Sequence, residues 1–395
     1  MNKTRKKKLK KLAHLNNKKA NNFLPILRGL LDIYDAAVSN EEADLLIAVG
    51  TDCINESELK SRLERGKSFP MDRFDELLNN VKKKGILISY KSDTGELILE
   101  LPCIMLGWVE AFLADGKVTP EREKFAKAIV NYFNNIQGLI NRPGVRSLVN
   151  MAYKMMGPNW RVVSFEPKNV DSKVIGMDKS LEVPEAQVLT SNTVDKLIEE
   201  YGNDNNLAVT HCLCRLAHKI EGDPCRLDLP EESHIWVGKF ADHFVNNGLG
   251  RRITKDEALA ITKEVREKGG VHEVMHYHMN VKDLDLALCS CCWDCCTSLG
   301  GYNRCLIPVA LNSDYIARIE DISKCMGCGT CVKICPVEAI SLKDGKAKHD
   351  EKLCIGCGLC EFHCPEEIVV MEPKKRFVFL PLRKKSMDRT LRWKN

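Results

Sequence analysis

The feature that most limits what this chain can become is a cysteine pattern written twice. Cys325, Cys328, Cys331 and Cys335 follow C-x2-C-x2-C-x3-C, and Cys354, Cys357, Cys360 and Cys364 repeat the run 29 residues later. Each run ends in Cys-Pro, at Pro336 and Pro365. A repeat of this kind marks an internally duplicated fold. Three closely spaced thiolates wrap three irons of a cubane, and a remote fourth closes it. Gly327, Gly329, Gly356 and Gly358 alternate with the cysteines and let backbone amides approach inorganic sulfide, where their hydrogen bonds tune the potential. A zinc ribbon needs only two C-x-x-C pairs and leaves the duplicated fourth Cys-Pro unexplained.

The duplicated run resembles the two-cluster bacterial ferredoxins. In that family the fourth cysteine of each run ligates the other cluster. The resemblance implies one [4Fe–4S] cluster on Cys325, Cys328, Cys331 and Cys364, and a second on Cys354, Cys357, Cys360 and Cys335. It places a ferredoxin domain over 319–373, with strands near Ala339 to Leu342 and Ile368 to Met371. His363 is expected at the surface or as a modulator of potential, since the cysteine set is complete without it.

Nineteen cysteines are far more than a cytosolic chain of 395 residues ordinarily carries, and seventeen follow position 211. A disulfide scaffold suits a short secreted protein, so C-x-C, C-C and C-x-x-C spacings here read as metal sites. Eight of them form an upstream constellation. Cys212, Cys214 and Cys225 lie in HCLCRLAHKIEGDPCRLDLPEE, and Cys289, Cys291, Cys292, Cys295 and Cys296 lie in ALCSCCWDCCTSLGG. This split pattern resembles a domain fused ahead of ferredoxin modules in iron–sulfur proteins of anaerobic bacteria and archaea, which implies redox work and names no substrate.

Eight thiolates could hold two further [4Fe–4S] clusters, or one cluster with structural or catalytic cysteines besides; a structural zinc site is the plain alternative. Adjacent cysteines cannot comfortably ligate one metal together, so neighbours are expected to serve different clusters or different irons. The C-C-G motif of heterodisulfide reductases is absent. His211, His218, His272, His276 and His278 are borderline metal ligands, read chiefly as packing or surface residues. Arg215 is expected to offset the charge of a thiolate-bound cluster. Cys305 has no pattern to support it as a ligand, and Cys53 and Cys103 are expected to be small buried hydrophobes.

The charge distribution is uneven. Residues 1–22 hold nine basic and no acidic residues, residues 374–395 hold nine basic residues and Asp388, and the middle carries an excess of twelve acids. The two ends are expected as solvated basic tails, able to reach an acidic partner, the surface of an anionic membrane or nucleic acid, while the acidic body argues against a broad nucleic-acid-binding face. No apolar run reaches about 18 residues and no secretory signal is evident, so the expected location is cytoplasmic.

Apolar spacing predicts helices over Asn22 to Ser39, from a Ser39–Glu42 capping box through Val49, over Asn55 to Leu63, and over Pro70 to Lys84. Strands are expected at Ile86 to Tyr90 and Glu96 to Leu101, around a turn at Asp93-Thr94-Gly95. Helix, helix, helix, hairpin is the order of a winged-helix domain, which the region resembles. Asp72, Asp75 and Glu76 open its last helix and would repel phosphates, so protein docking is expected over DNA binding.

The expected fold class is α+β and multidomain, mostly helical over its first two-thirds. Its divisions are a basic tail (1–22), a winged-helix-like domain (23–105), a helical connecting region (106–200), a cysteine-rich metal domain (201–318), the ferredoxin domain and a basic C-terminal tail (374–395). A capping box at Thr254 and Glu257 predicts a helix ending near Lys268. The functional expectation is a relay of low-potential electrons, as a subunit or partner of an anaerobic oxidoreductase. The alternatives are a reductase with a catalytic cluster in 201–318 and a redox-sensing DNA-binding regulator. No catalytic residue and no nucleotide-cofactor fingerprint is legible.

Overall fold

The computed structural model describes residues 1–18, 26–66, 69–92, 94–142, 144–156, 160–163, 194–276 and 286–388. The expected connection over 165–184, the turn residue Asp93 and His278 lie outside these.

The N-terminal third is built from helices α1 (Lys3–Lys18), α2 (Arg28–Ala37), α3 (Asn40–Val49), α4 (Glu56–Arg65) and α5 (Phe74–Lys83), followed by strands β2 (Ile88–Lys91) and β3 (Leu97–Glu100). A short strand β1 (Cys53–Asn55) joins them in the antiparallel order β1-β3-β2. The Ser39–Glu42 capping box is formed, and Asn55 caps α4 by accepting from the Glu58 amide.

The first expected tail is instead an ordered helix. Leu9, Leu12 and Ala13 of α1 are fully buried, and each buried leucine contributes roughly 1.5–3 kcal/mol against the cost of ordering it. Arg5 pairs with Asp35 at 2.6 Å, Lys8 with Asp44 at 2.7 Å, and Asn16 joins Tyr34 to the Pro102 carbonyl. Spread lysines concealed an apolar stripe. Cys53, expected to be buried, is exposed, and Cys103 is half-buried.

Helices α6 (Val109–Phe112), α7 (Pro120–Ile140) and α8 (Val145–Met156) lead to strand β4 (Trp160–Val163), and α9 (Val194–Tyr201) opens the cysteine-rich body. That body alternates β5 (Leu207–His211), α10 (Leu213–Ile220), β6 (Glu232–Val237), α11 (Lys239–Asn246), β7 (Arg251–Arg252), α12 (Lys255–Glu267), β8 (Val271–His276), β9 (Leu286–Cys291), α13 (Leu299–Asn303) and β10 (Val309–Ile319). The helix foreseen from Thr254 is α12, capped by that residue. The N-terminal hairpin is seated on this body: the Ser89 amide donates to Nδ1 of buried His243 on α11.

The ferredoxin-like segment carries α14 (Thr330–Ile334), a hairpin of β11 (Ile340–Lys343) and β12 (Lys346–His349), α15 (Leu359–Phe362) and β13 (Val369–Leu380). It is not a bead on a string. β10 and β13 pair along nearly their whole length, and both belong to one eight-stranded sheet of order β13-β10-β4-β8-β9-β6-β5-β7. Only the β10–β4 pairing is parallel among these neighbours. Tyr315–Ile319 pairs with the start of β13 beside the cysteine runs, while Val309–Ser313 carries the same strand into the larger sheet.

The second expected tail is consequently structured through most of its length. β13 runs to Leu380, and Arg376 donates to the carbonyls of Glu351 and Cys354. Arg383 pairs with Glu338 and lies over the Tyr302 ring, and Met387 is buried. The basic side chains clamp the module to the sheet, a use that charge counting does not reveal.

Candidate metal centres

All nineteen cysteines are free thiols, and of the seventeen beyond position 211 all but Cys305 belong to the duplicated run or the upstream constellation. In the duplicated run, each stretch C-x2-C-x2-C bends through left-handed glycines, with φ near +70° at Gly327, Gly329, Gly356 and Gly358. Gly356 shows why a side chain is excluded: a Cβ there would lie 2.2 Å from both Ser313 Oγ and the Tyr315 carbonyl of β10. The second run is thus pressed directly onto the strand that joins the large sheet.

The thiols of the two runs influence one another. Burial pushes the Cys331 thiol up to about 11, and the charges of Cys328, Cys364 and Cys325 add to the shift. Burial likewise raises Cys357 and Cys360, which feel Cys335 and Cys354. The fourth members thus act across the runs, Cys364 on Cys331 and Cys335 on Cys357 and Cys360, while Cys331 also acts on Cys360. The groups differ in exposure. Cys328 is exposed and Cys325, Cys331 and Cys364 are half-buried, whereas Cys335, Cys354, Cys357 and Cys360 are all buried. Ile322, Met326 and Leu342 are exposed apolar side chains around the outer four. His363 is half-buried against α12, its Nε2 3.2 Å from the Arg266 carbonyl, and so belongs to packing.

The eight upstream cysteines divide five and three. Cys212 and Cys214 flank the start of α10 and are within hydrogen-bond reach of each other. Cys214 reaches Cys296, Cys296 reaches Cys291, and Cys291 reaches Cys289 on β9. Cys289 also feels the charge of Cys212. The remaining three, Cys225, Cys292 and Cys295, have their sulfurs within 4.8 Å of one another, with Cys292 and Cys295 2.9 Å apart. Both adjacent pairs are split, Cys291 from Cys292 and Cys295 from Cys296. For Cys291 and Cys292 the cause is local geometry, since neighbouring side chains at the end of β9 point to opposite sides; Cys295 and Cys296 are parted in the turn that follows. Gly300 permits the tight return of this loop, since a Cβ there would lie 2.1 Å from the Asp294 carbonyl.

One residue of the site carried no signal in the cysteine spacing. Glu273 on β8 is 1% exposed, and its carboxylate oxygen lies within 4.8 Å of the Cys291 and Cys296 sulfurs. Burial pushes its pKa up to about 7, opposed by hydrogen bonds from Cys291 and Ser298. Its strand register could have pointed to it: Glu273 sits opposite Cys289, and His272 opposite Ser290, so alternation puts the carboxylate on the cysteine face.

Arg215 stands between the two upstream groups. Its guanidinium donates to the Pro230 carbonyl, to Ser233 Oγ at 2.8 Å and to the Ser290 carbonyl at 3.0 Å. Burial works to lower its pKa, yet Cys212, Cys295, Cys225 and Cys292 raise it above the ordinary arginine value. His234, stacked on Trp236, lies 3.6 Å from Cys289 Sγ and is held neutral, its pKa lowered to about 3 by burial and then by Arg215. His272 is buried on the opposite face of β8, His218 contacts Arg304, and His211 packs against Gly116. Cys305 is buried beside Arg383 and Tyr302, outside both thiol groups.

So many buried thiols cannot ionise together without cations, because each thiolate raises the pKa of the next. Against the lowering hydrogen bond with Cys212, the hydrogen bond to Cys296 and then burial carry Cys214 up to about 12. Metal binding removes the conflict by displacing protons and supplying positive charge. All-sulfur groups of this density suit iron–sulfur clusters or zinc. Asn303 connects the two regions, its Nδ2 donating to the Trp293 carbonyl at 2.8 Å and to the Pro336 carbonyl at 2.9 Å.

Comparison with known proteins agrees with the duplicated run. Residues 324–368 match the 4Fe-4S dicluster domain. A stretch of 29 residues is 59% identical to Ferredoxin-2 of Desulfomicrobium norvegicum, covering 7% of this chain and 49% of that protein. No solved structure matches the chain. Among the described residues, no helix is long and apolar enough to cross a membrane. The C-terminal part of this chain therefore carries a ferredoxin-type iron–sulfur domain.

Proposed function

We propose that the chain is an electron relay in which two [4Fe–4S] clusters of the ferredoxin module extend an iron–sulfur centre in the cysteine-rich body. The outer cluster takes Cys325, Cys328, Cys331 and Cys364, and the inner takes Cys354, Cys357, Cys360 and Cys335. What carries this reading is the exposure gradient, from an outer four rimmed by Ile322, Met326 and Leu342 to a wholly buried inner four. Electrons enter or leave at the outer cluster, where an apolar rim suits a transient redox partner. They pass inward towards the loop Cys292–Cys296, which Asn303 ties to Pro336.

The N-terminal helices and hairpin, winged-helix-like in order, serve as a docking module for a larger oxidoreductase in an anaerobic cytoplasm. Their supporting observation is an exposed acidic helix start at Asp72, Asp75 and Glu76. Anaerobic purification of the whole chain with iron and acid-labile sulfide counts tests the relay. More than about eight of each per chain is expected, and fewer removes the two-cluster minimum.

A second reading, a reductase, is favoured by the trio Cys225, Cys292 and Cys295. A four-iron cluster on three thiolates leaves one iron free to bind a substrate. Cyanide should then shift the electron paramagnetic resonance of one upstream centre in native protein and not in Cys225→Ser. An unchanged native spectrum removes the open iron.

A further inference from the structure

We propose that Glu273 is a metal ligand, an oxygen donor in a polynuclear iron centre shared with Cys212, Cys214, Cys289, Cys291 and Cys296. The inference rests on reading the cysteine-rich body as an iron–sulfur body, and it adds a donor that no cysteine pattern contains.

Geometry supplies the first argument. The Glu273 carboxylate and the sulfurs of Cys291 and Cys296 all lie within 4.8 Å of one another, and all three residues are buried. The antiparallel register sets Glu273 against Cys289 and Val271 against Cys291. Alternation along β8 and β9 then directs the carboxylate to the face that carries Cys289 and Cys291. The seat is built by regular strand pairing and does not depend on a loop.

Electrostatics supplies the second. A buried carboxylate needs a cation or a full set of donors. Among the described residues no lysine, arginine or histidine pairs with Glu273, and Ser298 Oγ donates only at 3.3 Å. Its other neighbours are thiols, which as thiolates would repel it. A cation between the carboxylate and the sulfurs turns that repulsion into attraction.

Donor number supplies the third. A zinc ion takes four ligands, and five thiols with one carboxylate exceed one such site. A polynuclear iron centre accepts about one terminal donor per iron and so has use for more donors. The carboxylate is a harder, less covalent donor than thiolate, so the iron it holds would be the one from which a ligand could depart.

The test uses the full chain, enriched with iron-57 and kept anaerobic, in native form and as Glu273→Gln and Glu273→Cys. Native protein should show, beside the ferredoxin signals, one iron subsite whose Mössbauer isomer shift exceeds that of all-sulfur iron. Glu273→Gln should lose that subsite, with about one iron fewer per chain at most. Glu273→Cys should convert it to an all-sulfur site, and the ferredoxin signals should persist in both. Upstream iron present with the same subsites in native protein and both variants overturns the ligand role while leaving the relay intact. Only about eight irons in native protein, or zinc upstream, overturns the inference together with the iron–sulfur reading of the body. If Glu273→Gln does not fold, the native spectrum and Glu273→Cys still decide.

Discussion

The ferredoxin module and the cysteine-rich body both gather eight cysteines, yet they do so by opposite means. In the module the donors come from two short runs, bent by left-handed glycines, and the same spacing is used twice. In the body they come from the start of α10, the loop at Cys225, strand β9 and the turn after it, with Glu273 added from β8. The first is a local code and the second is a tertiary one. A local code survives transfer between proteins, which is why 29 residues suffice for 59% identity with a ferredoxin. A tertiary code exists only when the sheet is formed, so metal and fold in the body should depend on each other.

Removing the metal should therefore have the largest effect of any single change, and it should be uneven. Cys291, Cys296, Cys335, Cys354, Cys357 and Cys360 all lie in the core that includes β5, β6, β8, β10 and β13. Chelation under reducing conditions should lower the midpoint of the C-terminal transition by about 10 °C or more, as charged or void-lining thiols replace a filled centre. The core of α1–α5 and α7, which meets the cysteine-rich body through Leu213, Leu216 and Ala217 of α10, should lose hydrogen-exchange protection at α10 and keep it over α1–α5. Equal loss of protection in both cores would erase the distinction.

Next in size are two glycine substitutions, one on each side of the comparison. Gly356→Ala combines a left-handed backbone with a clash against β10 and should cost about 3–4 kcal/mol. Gly300→Ala meets the Asp294 carbonyl and the Cys295 amide nitrogen and should cost about 2–3 kcal/mol. Anaerobic denaturation measures both. The sharper discriminator is spectral: Gly356→Ala should perturb the ferredoxin signals and Gly300→Ala the upstream ones. Asn303→Ala should follow at about 2 kcal/mol, because two buried carbonyls, those of Trp293 and Pro336, lose their donor. If the two regions are coupled through Asn303, this variant should broaden both sets of signals; a change confined to one set would separate them.

How much of this was legible from the chain follows the same division. The duplicated run was readable because its spacing is local and written twice, whereas the exchange of fourth cysteines between runs comes only from the resemblance to two-cluster ferredoxins. The splitting of Cys291 from Cys292 and of Cys295 from Cys296 was foreseeable from the impossibility of chelating with neighbours. The five-and-three grouping was not, since it depends on where α10 and the Cys225 loop meet β9. Glu273 was silent because one acid on an apolar strand looks like any other until register is known. The basic ends misled for a related reason. Lysine counts registered the charge on α1 and β13, but not Leu9, Leu12, Leu380 and Met387 buried beneath it.

The smallest expected effect, and the finest probe of the comparison, concerns Arg215. Its charge lies among thiols of both upstream groups, so it stabilises the reduced, more negative state of whatever they hold. One unit charge acting through an effective dielectric near 20 at cluster distances is worth about 1–2 kcal/mol, or about 50–100 mV for a one-electron couple. Arg215→Gln should accordingly move the upstream potentials more negative by about that amount. The module lies farther from the charge and should shift by less. Arg215→Lys separates charge from hydrogen bonding: it keeps the cation but loses the fork held by Pro230, Ser233 and Ser290. Its potentials should stay near native while its stability falls. Anaerobic redox titration monitored by electron paramagnetic resonance reads every one of these shifts. Equal displacement of module and upstream potentials by Arg215→Gln would mean that the two regions share one electrostatic environment, and the contrast between a local and a tertiary site would then hold for assembly but not for redox tuning.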